Sequence, residues 1–379
     1  MYVAELDRPW TDTPFMFQGF VLRTQQQLDT LNKFCKSVVV DSERAERVDP
    51  PPLAPAVQRY TTQVPVEHEV AQARSAHGQA LETMREVVAA VRANRMLDAT
   101  SLEQAVGAMT ESVLRNPDAL MLFSQLREKG DYVHSHALDV AVYMTTFGRF
   151  LQLPVEQISL LGYLGLMQDI GKLRVPDHIL AKRERLTDEE LALAKKHVEH
   201  SVAILRETTG LPQGLAELAA LHHERFDGSG YPGGLKGKQI GLIGSIAAVA
   251  DTFDALTTQR PYAAPVSPST ALSMLYKWRG TLFDGQLIEQ FIRCIGIFPL
   301  GSVVELNSGE VGIVITQNTE RRLQPRVMVI KDAAGNALRP QKLLDLSREP
   351  KVSPDETYKI KRTLEFGRAK VTVESLFMT

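Results

Sequence analysis

The sequence predicts an α+β protein: a mainly α-helical bundle, preceded by a small β-containing unit and followed by a small β extension. Three observations carry this reading. Helix start and stop signals follow one another through residues 101–298, β-branched and aromatic runs punctuate residues 1–47, and strand-like runs begin at residue 300. A chain of 379 residues suits two or three domains. Its 44% hydrophobic and 23% charged content is that of a soluble globular protein. A net charge of -2 provides no basic field for a nucleic-acid polymer, so an anionic ligand must be met by a local basic cluster. The two cysteines, Cys35 and Cys294, suggest no disulfide framework and fit a reducing cytoplasm. The opening "MYVAELDRPW" lacks the basic and apolar regions of a signal peptide, and no apolar run reads as membrane-spanning. The expectation is a cytoplasmic protein with no membrane partner.

Along residues 1–47, "PFMFQGFVLR" and "KSVVVD" read as strands joined by the helix "TQQQLDTLNKFC". Residues 48–65 are proline-rich and read as a linker, since proline cannot sustain a regular helix or a central strand. In the connecting helix assigned to 66–100, Val66, Val70, Ala73, His77, Ala80, Met84, Val87 and Val91 form one apolar stripe. The stripe packs either on a second copy, giving a homodimer through 66–94, or on the chain's own next domain, the simpler expectation. In the bundle, Pro117 and Asp118 open a helix, Asp131 can cap the helix of His136, and Thr187 with Glu190 forms a capping box. Ser267 caps a helix with Pro268 in its first position, and "FDGQLIEQFIRCIG" ends at Gly296. In 299–379, "GSVVELN", "EVGIVIT" and "PRVMVIK" read as strands, and the last forty residues are left unassigned.

Seven of the nine histidines lie between residues 134 and 223. Histidine with carboxylate makes a nitrogen and oxygen donor set that suits Mn, Fe, Zn, Ni or Co better than Mg or Ca. In "LHHERFDGSGYPGG", His222 and His223 precede a loop of four glycines, whose N–H groups can approach an anion without obstruction. Asp251 follows a run of small and apolar residues, where a carboxylate is costly unless a cation, a cap or an arginine meets it. Asp169 and Lys172 stand three residues apart and could equally be a surface ion pair. His136 and His197 gain weight only from this company. His68 and His77 read as structural, and His134, His178 and His200 as surface residues.

In combination, Asp169-Ile170-Gly171-Lys172, His197, "HHERFDGSGYPGG" and "ADTFDALTTQRPY" resemble the HD-GYP family over roughly residues 110–298. The tail from "GIFPLGSVVELN" resembles the β extension that often ends such proteins. The resemblance implies an HD-type helical domain and a metal-dependent phosphodiesterase that hydrolyses cyclic di-GMP to pGpG or GMP in bacterial signalling. It implies two or three divalent transition metals, Fe or Mn first, with Zn, Ni or Co also fitting. His136, Asp169, His197, His222, His223 and Asp251 fall on ligand positions, with Asp169 bridging. Lys172 and Arg260 fall on phosphate contacts, Tyr231 lies beside the guanine or ribose, and Arg225 is a further substrate contact. Asp169 and Lys172 are the catalytic pair. Two cations about 4 Å apart can generate hydroxide at neutral pH and neutralise developing charge.

Two positions depart from the family pattern. Gln168 stands where the family has the histidine of its His-Asp pair, and a neutral amide is a poorer ligand for a borderline metal. Ala263 replaces a basic residue beside the substrate phosphate. Two expectations follow: an enzyme slower or more selective for metal, or a non-hydrolytic cyclic di-GMP receptor or module that engages signalling partners. A broader HD-type nucleotide hydrolase fits the Gly-Tyr-Pro loop poorly.

Overall fold

The computed structural model describes residues 2–7, 20–22, 25–41, 60–126, 132–260, 264–318, 321–364 and 376, with the backbone alone at 2, 4, 5, 20, 21, 25, 26, 40, 41 and 132–134. The chain begins with β1 (Tyr2–Leu6), β2 (Phe20–Val21), α1 (Gln25–Phe34) and β3 (Val38–Asp41), which form an antiparallel sheet in the order β2-β1-β3. The sequence reading missed β1, and most of "PFMFQGFVLR" lies outside the described residues. So do 48–59 of the linker. Residues 60–65 are tied down: Tyr60 donates its hydroxyl to Leu153 O at 2.8 Å, and Gln63 N donates to Arg115 O at 2.8 Å.

α2 (Val66–Arg92) buries the predicted stripe, with Val66, Ala73, His77, Ala80, Met84 and Val87 all covered. The cover comes from the chain itself: α2 lies against α3 (Ala99–Arg115) and α4 (Pro117–Leu126). The stripe is thereby used within the chain, which removes its sequence-level argument for a dimer. A buried Glu69 fastens the contact, accepting from Ser112 Oγ at 2.8 Å and from Arg115 Nε at 2.9 Å. A buried carboxylate is tolerable only when donors surround it in this way.

The bundle continues with α5 (Tyr132–Phe150), α6 (Val155–Met167), α7 (Asp177–Leu180), α8 (Asp188–Lys195), α9 (His197–Glu207), α10 (Leu215–Ala219), α11 (Gly241–Thr257), α12 (Pro268–Lys277) and α13 (Gly285–Ile295). The capping box of Thr187 with Glu190 and the cap of Ser267 form as the sequence predicts, while Asp131 lies outside the described residues. α5 is the central rod, buried from Ser135 through Arg149. Gly165 on α6 lets it approach closely, because a Cβ there would collide with the backbone of Ala141. Behind α5, Phe147, Phe253 and Phe291 meet edge to face, with centroids 5.1 and 5.4 Å apart, and lock α5, α11 and α13 together.

By length and composition alone, Gly237–Thr257 could cross a membrane, which corrects the reading that no run is long enough. However, 56% of its most apolar window is buried, and it carries the buried Asp251 and Asp254, so it serves here as a core helix.

The C-terminal region adds β4 (Val303–Leu306), β5 (Val311–Thr316), β6 (Arg326–Lys331), β7 (Ala337–Asp345), β8 (Lys351–Ser353), β9 (Glu356–Thr357) and β10 (Ile360–Thr363). Five of these make an antiparallel sheet in the order β10-β4-β5-β6-β7. The sheet is joined to the bundle by Asp118, whose Oδ2 accepts from Gln317 N at 3.1 Å, and by the Glu67–Arg326 ion pair at 2.6 Å. Burial pushes the Asp118 carboxyl up to about 7, against the opposing pull of the Gln317 N–H, Arg149 and Arg326.

Candidate metal centre

Five separate elements deliver side chains to one point. His136 comes from α5, Asp169 from the end of α6, His197 from the start of α9, His222 and His223 from the turn after α10, and Asp251 from α11. Their donor atoms form two groups that share Asp169: Asp169 with His197, His222 and His223, and Asp169 with His136 and Asp251. Within each group the atoms lie within 4.8 Å of one another.

Gly171 explains how Asp169 reaches α9. Residues Ile170–Arg174 form a 3-10 turn laid directly on α9, where a Cβ on Gly171 would overlap His197 O and Ser201 N. Gly171 N donates to Ser201 Oγ at 2.8 Å and seals the contact.

In the first group the imidazoles are oriented by backbone carbonyls. His197 Nδ1 lies 2.8 Å from Ala194 O, and His222 Nδ1 lies 2.6 Å from Ala219 O. Because a carbonyl only accepts, these Nδ1 atoms carry hydrogens, and in the neutral ring that leaves a lone pair on each Nε2. The Nε2 of His197 lies 3.4 Å from that of His222 and 3.1 Å from that of His223. Asp169 Oδ1 faces them at 3.3 and 3.4 Å and is buried without a hydrogen-bond donor. Lone pairs of nitrogen and oxygen converging in a buried site repel unless a cation lies between them, so this donor set fits a divalent metal. Burial above all holds His223 well below the usual imidazole range and therefore neutral.

In the second group, His136 Nε2 lies 3.0 Å from Asp169 Oδ2 and 3.1 Å from Asp251 Oδ1. Its Nδ1 donates to Asp254 Oδ2 at 2.6 Å. Lys172 Nζ lies 2.5 Å from Asp169 Oδ2, so the i,i+3 ion pair is real and sits at the centre rather than on an open surface. Burial works to raise the Asp169 carboxyl, but the charge of Lys172, foremost among the opposing groups, helps hold it well below the usual range. Asp251 is lowered too: burial opposes, and the hydrogen bond with His136 prevails. Gln168 is 1% exposed, and neither its Oε1 nor its Nε2 has a hydrogen-bond partner.

The Gly-Tyr-Pro loop differs from expectation. The N–H groups of Gly233 and Leu235 donate to the buried Glu224 carboxylate at 2.6 and 2.9 Å, so these two are directed at the chain's own acid and not toward a ligand. Tyr231 stacks on His223 with centroids 4.7 Å apart at 22°, and Lys195 Nζ lies 4.8 Å above the Tyr231 ring. Arg225 turns inward: Nη1 donates to Glu224 O at 2.8 Å, and the guanidinium covers Phe283 at 5.2 Å. The geometry thus gives Arg225 a fastening contact within the chain. Arg260 follows α11, half-buried, and its carbonyl accepts from Gln259 at 3.0 Å. Ala263 lies outside the described residues. His68 and His178 are exposed, His77 is buried near Phe123, and His200 is half-buried.

Sequence reasoning missed Asp254, Glu224 and Lys195. Asp254 had a signal: it follows Asp251 by three residues on one helix and so shares its face. Glu224 had none beyond its place after the two histidines.

Comparison with known proteins agrees with this geometry. Residues 117–287 match the HD domain, residues 1–102 a domain of unknown function, and residues 303–353 a KOW domain associated with HD domain. The "Cyclic di-GMP phosphodiesterase PA4108" of Pseudomonas aeruginosa is 32% identical over 363 residues, covering 92% of this chain and 86% of that protein. The chain belongs to the HD-GYP family. Another relative, the "3'3'-cGAMP-specific phosphodiesterase 2" of Vibrio cholerae, is 37% identical over 160 residues, 42% of this chain and 31% of that protein. Among solved structures, an HDG"Y"P protein from Bdellovibrio bacteriovorus aligns with a TM-score of 0.48 and 19% identity, over 62% of this chain and 74% of that one. The HD-GYP assignment accounts for both the His/Asp cluster and the loop that carries Tyr231.

Proposed function

We propose that this HD-GYP chain is a metal-dependent phosphodiesterase that hydrolyses cyclic di-GMP to pGpG or GMP in bacterial second-messenger signalling. The observation that carries the reading is the convergence of four imidazoles and two carboxylates in two groups that share Asp169, whose buried Oδ1 has no hydrogen-bond donor. His197, His222 and His223 would hold one divalent ion, His136 and Asp251 another, with Asp169 between them. When bound, such ions supply a water nucleophile at neutral pH and neutralise the charge of the phosphodiester. Iron or manganese suits this mixture of nitrogen and oxygen donors.

The chain's own residues do the rest. Carbonyl contacts at Ala194 and Ala219 aim the Nε2 atoms inward, and Asp254 does the same for His136. Lys172, whose side chain is 20% exposed, keeps positive charge beside the bridging carboxylate, where a phosphate would arrive. Glu224 gathers the Gly-Tyr-Pro loop, and the Tyr231 ring, braced on His223 and topped by Lys195, offers a flat face for a base or ribose. The reading places the protein in the cytoplasm, where the nucleotide is found.

The test is incubation with cyclic di-GMP and Mn2+, followed by chromatography. We expect pGpG or GMP from the wild type and none from Asp169→Ala. Gln168 favours a second reading, a receptor that binds without turnover; tight binding with no product would select it.

A further inference from the structure

The two halves of the centre are built from different chemistry. One offers three imidazoles and the shared carboxylate, with the Nε2 atom of His197 3.1 and 3.4 Å from those of its neighbours. The other offers one imidazole and two carboxylates, and Gln168, next in sequence to the shared Asp169, is buried with both amide atoms unpartnered. In that half His136 Nε2 already lies within hydrogen-bond distance of both carboxylates. The carbonyl-held nitrogens of the first half have only one another and Asp169 Oδ1 to face. Nitrogen-rich sites favour Co, Ni, Zn and Fe, whereas oxygen-rich sites are weaker for these ions and suit Mn or Mg.

We propose that the two metal positions load in order and hold different ions. The site of His197, His222 and His223 retains a borderline transition metal as a permanent part of the protein. The site of His136 and Asp251 binds a harder ion that exchanges with the surroundings, because a neutral amide at Gln168 adds little to its donor set. Occupancy of the second site, and with it the proposed activity, then follows the free concentration of that ion. This rests on the two-metal reading above.

The experiment uses the full chain, stripped with a chelator, loaded with excess Co2+ and desalted. Metal is counted by elemental analysis, and the visible Co2+ absorption reports the retained site. One ion per chain should remain, and Mn2+ added afterwards should bind at least roughly tenfold more weakly. His223→Asn should lose the retained ion, Asp251→Asn should keep it, and Gln168→His should raise the retained count to two. Retention of two ions by the wild type, or loss of the retained ion in Asp251→Asn but not in His223→Asn, overturns the ordering and leaves the metal reading intact. If no form binds metal, the two-metal reading itself falls. Should a variant fail to fold, the wild-type count and the Mn2+ affinity decide alone.

Discussion

Asp169 is a buried carboxylate and Asp118 a half-buried one, and their fates are opposite. Burial raises both, but Asp169 has the Lys172 ammonium against its Oδ2 and stays ionised, whereas Asp118 has one backbone N–H at 3.1 Å and the pull of Arg149 and Arg326 and is still pushed up to about 7. The difference shows that burial sets only the cost of a charge. The groups placed around it decide whether the charge survives, and here they do so at the candidate metal centre and not at the junction with the sheet.

The largest test of this contrast is Asp169→Asn, which keeps the shape and removes the charge. It should abolish metal retention by elemental analysis and lower turnover of cyclic di-GMP by about 10³-fold or more. Asp254→Asn acts one step out: without its carboxylate the orientation of His136 weakens, and metal affinity at that half should fall about 10- to 100-fold in a competition titration, with the fold unchanged. Asp118 should announce itself in stability. Its folded carboxyl holds a proton that the unfolded chain has released between about pH 4 and 7, so this contribution is complete at acid pH and is lost as pH rises toward 7. Denaturant melts at pH 5 and pH 8 should show the wild type losing about 1–2 kcal/mol relative to Asp118→Asn; the full shift would give more, but Asp118 keeps some solvent contact. A pH-independent difference would remove the contrast. The smallest effect is expected at the neighbouring Glu67–Arg326 pair, where both side chains are about a quarter exposed: Arg326→Ala should cost about 0.5–1 kcal/mol.

Much of the centre was legible because its residues act through their own atoms. His136, Asp169, His197, His222, His223 and Asp251 are chemically loud in apolar or glycine-rich surroundings, and the fold brings all six together. Residues that act through another were silent. Glu224 speaks only through the N–H groups of Gly233 and Leu235, and Asp254 only through His136 Nδ1. In the fold, α2 was visible from its spacing, but its partner was not, since a stripe cannot say which surface covers it. The last strands were hidden for two reasons. β7 is an edge strand that contains Pro340, and proline argues against a strand until its edge position is known. β10 is short and largely exposed, and it earns its place only by returning to β4 across more than fifty residues.

Gly171 has a consequence beyond packing. The separation between the bridging acid and the first residue of α9 is fixed where two backbones touch, so it is a ruler with no adjustable part. A chain with alanine there could still assemble every helix and keep every ligand, yet hold its two banks of donors apart by the width of one methyl group.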